Sequence, residues 1–407
     1  MMNGRAGTIF PKGINALKDD ALAGKPGITP FAFHVPDDTL AHIRDRIAAF
    51  PWQDMPDGAG WQYGTNMEIL KDFCTYWIDG FDWRAQEARI NSFANYRTHV
   101  DGIDMHFIHE TGSGPNPMPL MIAHGWPGSV AEFFGIIDML AHPERFGGDV
   151  ADAFTVIAPS LPGFAFSGRP PRPYGPRRMA AVINALMTQR LGIDRYMAQG
   201  GDWGSAIASW LGLDHAAHCS AIHINALLMR HAQGPQTTEE EAWARAFEAD
   251  QIMEAGYRTQ MATRPQTLGY AMMDSPVGVA AWMLEKFHAW SDVRNDDIET
   301  AHSRDALLTQ IMIYITTRSF TTASWIYYGR REEGGRVLSP EGARVEVPTA
   351  CALFPAEMLR WSPRSYAERI YNIRRWTEMP RGGHFAAMEE PALLVEDIRA
   401  FARMLRT

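Results

Sequence analysis

The sequence predicts an α/β fold in which a mostly parallel β-sheet carries helices on both of its faces. From Pro119 onward, short apolar runs alternate with segments of helical periodicity, and this alternation is typical of parallel strands joined by helices. A glycine-rich stretch around Asp202 predicts a strand, a tight turn and a helix in succession. Residues 230–335 are rich in Met, Trp and Tyr and contain no convincing strand, which predicts an inserted helical lid.

The N-terminal part of the chain differs in composition from the rest. Of the 407 residues, 1–28 are expected to form a loose leader, because Gly and Pro recur there. Residues 29–92 contain several Trp residues and predict an N-terminal extension that wraps around the core and packs on the lid. Within the extension, apolar residues at helical spacing predict amphipathic helices over residues 36–47 and 67–77.

The α/β core is predicted in two parts, residues 93–229 and residues 336–407, on either side of the lid. A hairpin around Asp101-Gly102 begins the first part, since Asp-Gly between two strand-like runs is a strong turn signal. The final helix, residues 391–405, has apolar residues on one face. Between this hairpin and the final helix, the hydrophobic pattern predicts strands and helices of the core. The strands are at residues 120–123, 154–158, 196–198, 221–224, 345–353 and 371–377, and the helices at residues 129–140, 178–191 and 205–213.

The turn after the strand at residues 196–198 places one acidic residue, Asp202, among Gly200, Gly201 and Gly204. Glycines let backbone segments approach closely at a strained strand-to-helix turn, and the apex side chain projects beside a helix N-terminus. A carboxylate at the apex can attack an electrophilic carbon and form an ester that water must hydrolyse. The turn therefore predicts Asp202 as a nucleophile for an epoxide or alkyl halide. The alternative is a glycine turn with an Asp helix cap.

A second glycine-containing segment, residues 124–129, follows a predicted strand. Its Gly and Pro predict an unusual loop conformation. Such a loop can aim the backbone N–H of Trp126 at the point faced by the N–H of Trp203, the residue after Asp202. Two convergent N–H donors would form an oxyanion hole. The alternative is an ordinary tight turn.

A candidate general base, His384, lies between glycines and Phe385 after the last predicted strand. A neutral imidazole can deprotonate water near pH 7, and it needs an acidic partner to hold its tautomer. Glu357 follows the preceding strand and is the natural partner. Glu389 and Glu390 are nearer in sequence, but they stand where a helix begins, and acidic residues are favoured there as caps.

Four motifs occur in the order HGWPGS (residues 124–129), GGDWGS (200–205), FPAE (354–357) and GGHFAAMEEP (382–391). Together they resemble the epoxide hydrolases of the α/β-hydrolase fold, of the microsomal and juvenile-hormone type. Residues 58–64, 76–89 and 274–281 are similar to the same family, and the resemblance runs from about Thr29 to the C-terminus.

The resemblance implies that two lid tyrosines hydrogen-bond the epoxide oxygen, because an alkoxide leaves poorly without an acid. Tyr257 matches the first tyrosine. Tyr327 matches the second, although Tyr328 is the alternative in the same motif. The resemblance also implies a small-molecule epoxide and water as substrates, with neither a metal nor an organic cofactor. It leaves a homodimer open.

Charge and cysteine content restrict the partners and the compartment. The net charge of −9 gives no reason to expect nucleic-acid binding. The three cysteines, Cys74, Cys219 and Cys351, are far apart and odd in number, which argues against a disulfide scaffold and fits a reducing cytoplasm. No Cys/His cluster has zinc spacing, and no apolar run is long enough for a signal or membrane segment. We therefore expect a cytoplasmic protein without the membrane anchor of microsomal relatives.

Three other functions are alternatives for a protein of this fold: a haloalkane dehalogenase, a non-catalytic binding protein and a serine esterase. A haloalkane dehalogenase shares the Asp turn followed by Trp and holds a halide with side-chain donors, whereas the lid tyrosines favour an epoxide. A non-catalytic binding protein of the same fold would fit a broken triad, and here every member of the triad has a candidate. A serine esterase is disfavoured because no Ser occupies the position of Asp202.

Overall fold

A nine-stranded β-sheet runs through the computed structural model of the chain, which describes residue 22, residues 24–335 and residues 342–406. The strands are β1 (Ile28–Pro30), β2 (Asn95–Val100), β3 (Ile103–Glu110), β4 (Met118–Ala123), β5 (Phe154–Pro159), β6 (Tyr196–Gly200), β7 (Cys219–Ile224), β8 (Val345–Leu353) and β9 (Tyr371–Glu378). Their order across the sheet is β1-β2-β3-β5-β4-β6-β7-β8-β9. Pairing is antiparallel from β1 to β5 and parallel from β5 to β9.

Helices fill the connections between the strands and form the lid. They are α1 (Asp37–Ala48), α2 (Met67–Asp79), α3 (Trp83–Asn91), α4 (Ile137–Ala141), α5 (Pro176–Ala185), α6 (Asp202–Asp214), α7 (Thr238–Thr263), α8 (Pro265–Asp274), α9 (Pro276–Trp290), α10 (Arg304–Thr316), α11 (Phe320–Glu332), α12 (Arg364–Glu368), α13 (Ala386–Glu389) and α14 (Pro391–Arg406). The parallel strands expose their carboxyl ends at one edge of the sheet, where α/β proteins place their ligands.

The predicted α/β architecture, with a mostly parallel sheet and an inserted helical segment, is confirmed. The single helix predicted over residues 129–140 is wrong. A 3₁₀ helix, Val130–Gly135, precedes the short α4 instead. Gly135 lies at the junction, and glycine in a helix interior lowers helix stability, which accounts for the break. The edge strand β1 was not predicted, because three residues that include a proline give almost no strand signal.

The N-terminal helices contact the lid through polar and aromatic groups. The Tyr76 hydroxyl on α2 donates a hydrogen bond to Asp305 on α10 at 2.7 Å. The Trp61 ring stacks on His288 of α9, with the ring centres 3.9 Å apart. These contacts connect the extension to the lid, and β1 connects it to the sheet. The domain boundaries at residues 29, 93, 230 and 336 stay predictions, and most of the predicted leader lies outside the described residues.

The lid helices α7 to α11 lie over the loops at the carboxyl ends of the parallel strands. The Tyr314 hydroxyl on α10 donates to the carbonyl of Gly128 at 2.7 Å. The backbone N–H of His384, after β9, donates to the carbonyl of Trp290 at the end of α9 at 2.9 Å. These hydrogen bonds place the lid directly above the segments that carry the predicted site.

Candidate active site

The predicted nucleophile lies at a strained turn between β6 and α6. Asp202 is the first residue of α6 and has a φ of 44°, a left-handed conformation that is costly for a residue with a Cβ. The turn closes only because its neighbours are small. A Cβ on Gly200 would overlap the backbone of Gly204, and a Cβ on Gly204 would overlap the carbonyl of Ala123 on β4. The glycine pattern thus lets the carboxylate of Asp202 project at the sheet edge.

One predicted oxyanion donor is directed at this carboxylate. The backbone N–H of Trp126 donates to Oδ1 of Asp202 at 2.7 Å. Gly125 permits the approach, since a Cβ there would overlap the same carboxylate. The N–H of Trp203 belongs to the first turn of α6, where backbone donors lack helical acceptors. Among the described residues no hydrogen bond links it to the carboxylate, so its role as the second donor stays a prediction.

His384 and Glu357 lie beside Asp202, as the sequence predicts. The Nδ1 of His384 is 2.8 Å and 3.0 Å from the two carboxylate oxygens of Glu357. The Nε2 of His384 is 3.5 Å from Oδ2 of Asp202. The side chains of His384 and Glu357 are each 1% exposed. The segments after β8 and β9 are joined by a parallel bridge between Ala356 and Gly383, which fixes the spacing of the pair.

The two carboxylates determine the protonation of His384. Burial alone would lower the pKa of His384, but the charge of Glu357 and the hydrogen bond and charge of Asp202 raise it well above its ordinary value. A buried cation of this kind is stable only beside its anionic partners. Both carboxylates therefore favour the protonated form of the His384 ring.

The lid tyrosines meet the Asp202 segment through aromatic contacts. The Tyr257 ring on α7 stacks on Trp126 at 5.2 Å, and the Tyr327 ring on α11 meets Trp203 edge-on at 4.8 Å. The two tyrosine rings are 5.7 Å apart. Both rings therefore flank the two residues whose backbone N–H groups were predicted to stabilise an oxyanion.

The structure separates Tyr327 from its neighbour Tyr328. Tyr327 is buried against Trp126, Trp203 and Tyr257. Tyr328 is half-buried, and the guanidinium of Arg331 lies 5.6 Å from its ring centre. Only Tyr327 of the two faces the predicted site.

The tyrosine hydroxyls are suited to donate rather than to ionise. Burial raises the pKa values of Tyr257 and Tyr327, and the nearby Asp202 charge raises both further. The Tyr327 hydroxyl lies near Tyr257 and the Trp203 indole, but it forms no hydrogen bond of full geometry within the described part of the chain. It is a buried donor left for another acceptor.

Glu389, which the sequence analysis set aside, supports the His384 segment. Its carboxylate accepts hydrogen bonds from the backbone N–H groups of Asp292 at 2.8 Å and Phe385 at 2.9 Å. Burial raises its pKa to about 7. Glu390 pairs instead with Arg381. Both carboxylates have other partners, and Glu357 stays the predicted partner of His384.

Sequence reasoning missed three polar residues of the site, Glu132, Gln199 and Asn225. They line a small cavity together with Asp202 and His384. Glu132 had one usable signal, since it is an acidic residue in the otherwise apolar segment after HGWPGS. Burial raises the pKa of Glu132 to about 8.

A separate cluster, Glu110, Asp138 and His142, has the residue types of a metal site. Ligand atoms of Glu110, Asp138 and His142 lie within 4.8 Å of one another. Both ring nitrogens of His142 already have partners, the Ser113 hydroxyl at 2.6 Å and the Glu110 carboxylate at 3.1 Å. The cluster is accounted for by these hydrogen bonds.

In the helices that the structure describes, none is both long and apolar enough to cross a membrane.

Comparison with known proteins places these features in one family. Residues 28–133 match the family described as epoxide hydrolase N terminus, and residues 118–268 match the alpha/beta hydrolase fold. A putative epoxide hydrolase from Stigmatella aurantiaca is 39% identical over 93% of this chain and 86% of its own length. Epoxide hydrolase 1 from Sus scrofa is 34% identical over 95% of this chain and 90% of its own length.

A solved structure shows the same fold. The crystal structure of juvenile hormone epoxide hydrolase from the silkworm Bombyx mori superimposes with a TM-score of 0.85 at 27% sequence identity, covering 93% of this chain and 96% of that one. The chain therefore belongs to the epoxide hydrolases of the α/β-hydrolase fold.

Proposed function

We propose that this epoxide hydrolase converts an epoxide to a vicinal diol through a covalent ester on Asp202. One observation carries the proposal: the Asp202 carboxylate lies beside the Glu357–His384 pair, and the two lid tyrosines pack on Trp126 and Trp203, close enough for the Asp202 charge to raise their pKa values. A nucleophile, a base with its orienting acid, and two donors for a leaving oxygen are thereby brought to one place.

In the first half-reaction, Oδ2 of Asp202 attacks a carbon of the epoxide ring. Oδ1 accepts the Trp126 N–H at 2.7 Å, whereas Oδ2 has only the longer, 3.5 Å contact with His384 and is the oxygen that attacks. As the carbon–oxygen bond of the ring breaks, Tyr257 and Tyr327 hydrogen-bond the departing oxygen. Esterification removes the charge of Asp202, and the pKa of His384 falls because one of the groups that raise it is lost. The alkoxide gains one proton and becomes a hydroxyl, the imidazolium loses one, and the His384 ring is left neutral.

In the second half-reaction, neutral His384 takes a proton from water while the water oxygen attacks the carbonyl carbon of the ester. Glu357 holds the Nδ1–H and stabilises the imidazolium that forms. The oxyanion develops on Oδ1, where the N–H groups of Trp126 and Trp203 stabilise it. The tetrahedral intermediate then expels the diol oxygen, which takes the proton of the new carboxylic acid. Asp202 and His384 return to the ion pair of the resting enzyme.

The substrate class follows from the walls of the site. Trp126, Trp203, Trp290 and the two tyrosine rings contact one another around Asp202, so an epoxide with apolar or aryl substituents is favoured. Besides water, the reaction uses neither a metal nor an organic cofactor.

Two finer proposals concern the location of the protein in the cell and its oligomeric state. A cytoplasmic location is supported by Cys74, Cys219 and Cys351, which are all free and buried, because free thiols are typical of reducing compartments. Cell fractionation tests it, and recovery in a membrane fraction would contradict it. A homodimer is tested by light scattering of the purified protein.

A panel of substrates tests the proposed activity. We expect aryl and alkyl epoxides to yield vicinal diols. Chloroalkanes of matched size are the control, because the indole N–H groups of Trp126 and Trp203 have no partner among the described residues and could hold a halide instead. Halide release without any diol formation would replace the proposal with a haloalkane dehalogenase.

A further inference from the structure

A small cavity adjoins the nucleophile, and the mechanism above assigns it no role. It offers about 10 Å³ to the centre of a water molecule, which is close to the minimum for one water. Its wall includes polar side chains from four segments: Glu132 after the HGWPGS loop, Gln199 on β6, Asn225 after β7, and His384 after β9. Asp202 closes the same cavity.

Of two buried atoms on this wall, Oε1 of Gln199 has no partner among the described residues, and Nε2 of His384 has only the 3.5 Å contact with Oδ2 of Asp202, the oxygen that the ester would occupy. Gln199 is 1% exposed, and its Nε2 donates to Oδ1 of Asn225 at 3.0 Å. This hydrogen bond fixes the orientation of the Gln199 amide and leaves its oxygen, Oε1, without a partner among the described residues. Buried polar atoms without a partner are rare in folded proteins, and their commonest explanation is an ordered water.

Glu132 adds a third acceptor beside these two atoms. Its carboxyl group lies over the backbone of Gly128, where a Cβ would overlap it. Gly128 therefore keeps space for the carboxyl group at the cavity wall. A carboxyl oxygen accepts a hydrogen bond whether or not the group is ionised.

We propose that Glu132 and Gln199 hold the water that hydrolyses the Asp202 ester. The proposal rests on the proposed covalent mechanism and adds two positioning residues to it. The water donates one hydrogen to Nε2 of His384 and shares the other between the oxygens of Glu132 and Gln199. Its lone pair is thereby turned toward Cγ of Asp202. The proton on the first bond passes to His384 as the new carbon–oxygen bond forms, and the second hydrogen bond remains unbroken.

This arrangement separates the two half-reactions in space. Ring opening takes place at Oδ2, between Asp202 and the tyrosines, and needs no water at the cavity. Ester hydrolysis needs the water but not the tyrosine hydroxyls. Variants of Glu132 and Gln199 should therefore slow the second step alone, a selectivity that a merely structural role would not produce.

The test uses Glu132→Gln and Gln199→Met in the full-length enzyme. Glu132→Gln keeps the volume and weakens the acceptor, whereas Gln199→Met keeps the length and removes the amide oxygen. In single turnover, we expect the rate of ester formation to stay within about two-fold of the parent. The rate of ester decay should fall ~10- to 100-fold, the range for losing one hydrogen bond to a reacting group. The ester then accumulates and is seen by mass spectrometry.

Glu144→Gln is the matched control, since Glu144 is an exposed carboxyl group that accepts a hydrogen bond from Ser113 at 2.9 Å. It should form and hydrolyse the ester at parental rates. Parental ester decay in both test variants would overturn the water site, and so would an equal loss in both steps. Absence of any Asp202 adduct, even in a His384→Ala background, would instead refute the covalent mechanism.

Discussion

The core side and the lid side of the active site hold their groups in different ways. On the core side, hydrogen bonds fix the reacting atoms. Glu357 accepts from His384 and from the backbone N–H of Leu359 at 2.9 Å, and Asp202 accepts from Trp126. On the lid side, ring packing fixes Tyr257 and Tyr327, and the Tyr327 hydroxyl has no partner among the described residues.

The difference indicates that the core side is assembled before substrate binds, whereas the lid side presents donors that the substrate oxygen completes. Preorganised groups stabilise charge without reorganisation during the reaction. Variants on the core side should consequently abolish a step, and variants on the lid side should produce graded losses. The following predictions test that contrast, beginning with the largest effect.

Replacing the nucleophile should have the largest effect. Asp202→Asn keeps the shape of the side chain but removes the charge that attacks the epoxide. We expect turnover to fall on the order of 10⁶-fold, as when a covalent nucleophile is lost. Diol formation and intact protein mass are measured together. A variant that still forms the ester at a comparable rate would show that the attacking group is elsewhere. The measurement of intact protein mass should also show that the substituted Asn has not deamidated back to Asp.

Loss of the base should stop the second half-reaction, whereas ester formation continues with the alkoxide taking its proton from solvent instead of the imidazolium. In His384→Ala, Asp202 is still available to attack, but no group remains to deprotonate water. We expect burst formation of an adduct at enzyme mass plus substrate mass, followed by little turnover. Glu357→Gln should retain slow hydrolysis, with a loss of about 10⁴-fold from the disturbed imidazole. Normal steady-state turnover in His384→Ala would contradict the assignment.

On the lid side, removing hydroxyls should slow ring opening in steps. Tyr257→Phe and Tyr327→Phe each keep the aromatic packing, and one donor remains to the ring oxygen. We expect the double variant to lower the alkylation rate by ~10²- to 10⁴-fold. Each single variant should lower the same rate by less than the double variant does. Tyr328→Phe is the control and should behave as the parent. Damage from Tyr328→Phe with a silent Tyr327→Phe would reverse their roles.

A buried acid–histidine pair away from the triad should affect stability but not chemistry. Asp397 on α14 is 3.0 Å from Nε2 of His223 and also binds Arg375. Burial alone would raise the pKa of Asp397, but His223 and then Arg375 lower it to about 2. Its pKa in the unfolded chain is about 3.9, so this stabilisation is present above that pH and is lost as the pH falls toward 2. Over this window it amounts to about 2–3 kcal/mol.

The matching variant is Asp397→Ala, which leaves Arg375 and His223 without their buried anion. We expect it to lower the free energy of unfolding by about 3–5 kcal/mol, measured by urea denaturation. In the fraction that folds, the rates of ester formation and decay should equal those of the parent. A selective change in one of the two rates would connect this pair to the active site.

The motif residues could be predicted because each follows a strand, and the carboxyl ends of parallel strands converge. Asp202, Glu357 and His384 are therefore brought together by topology alone. Tyr327 and Tyr328 could not be distinguished in this way, since adjacent helical residues differ by about 100° in direction and only packing selects the inward one. Tyr327 is selected by its contacts with Trp126 and Trp203.

The remaining features depend on three-dimensional packing that leaves little trace in the sequence. Glu132 lines the cavity from a 3₁₀ helix that stands where an α-helix was predicted, and the position of Gln199 matters only once the cavity beside β6 exists. The protonation of His384 likewise depends on two carboxylates, Asp202 and Glu357, that are 182 and 27 residues away from it in the chain (384 − 202 and 384 − 357).

The central claim is that the epoxide carbon becomes bonded to Asp202, and isotope transfer tests it most directly. In a single turnover in H₂¹⁸O with enzyme in excess, water attacks the ester carbonyl, so the account predicts label in the Asp202 peptide and an unlabelled new oxygen in the diol. Mass spectrometry of the digested protein and of the diol measures both. Label in the diol of this first turnover, with none in Asp202, would contradict the covalent mechanism.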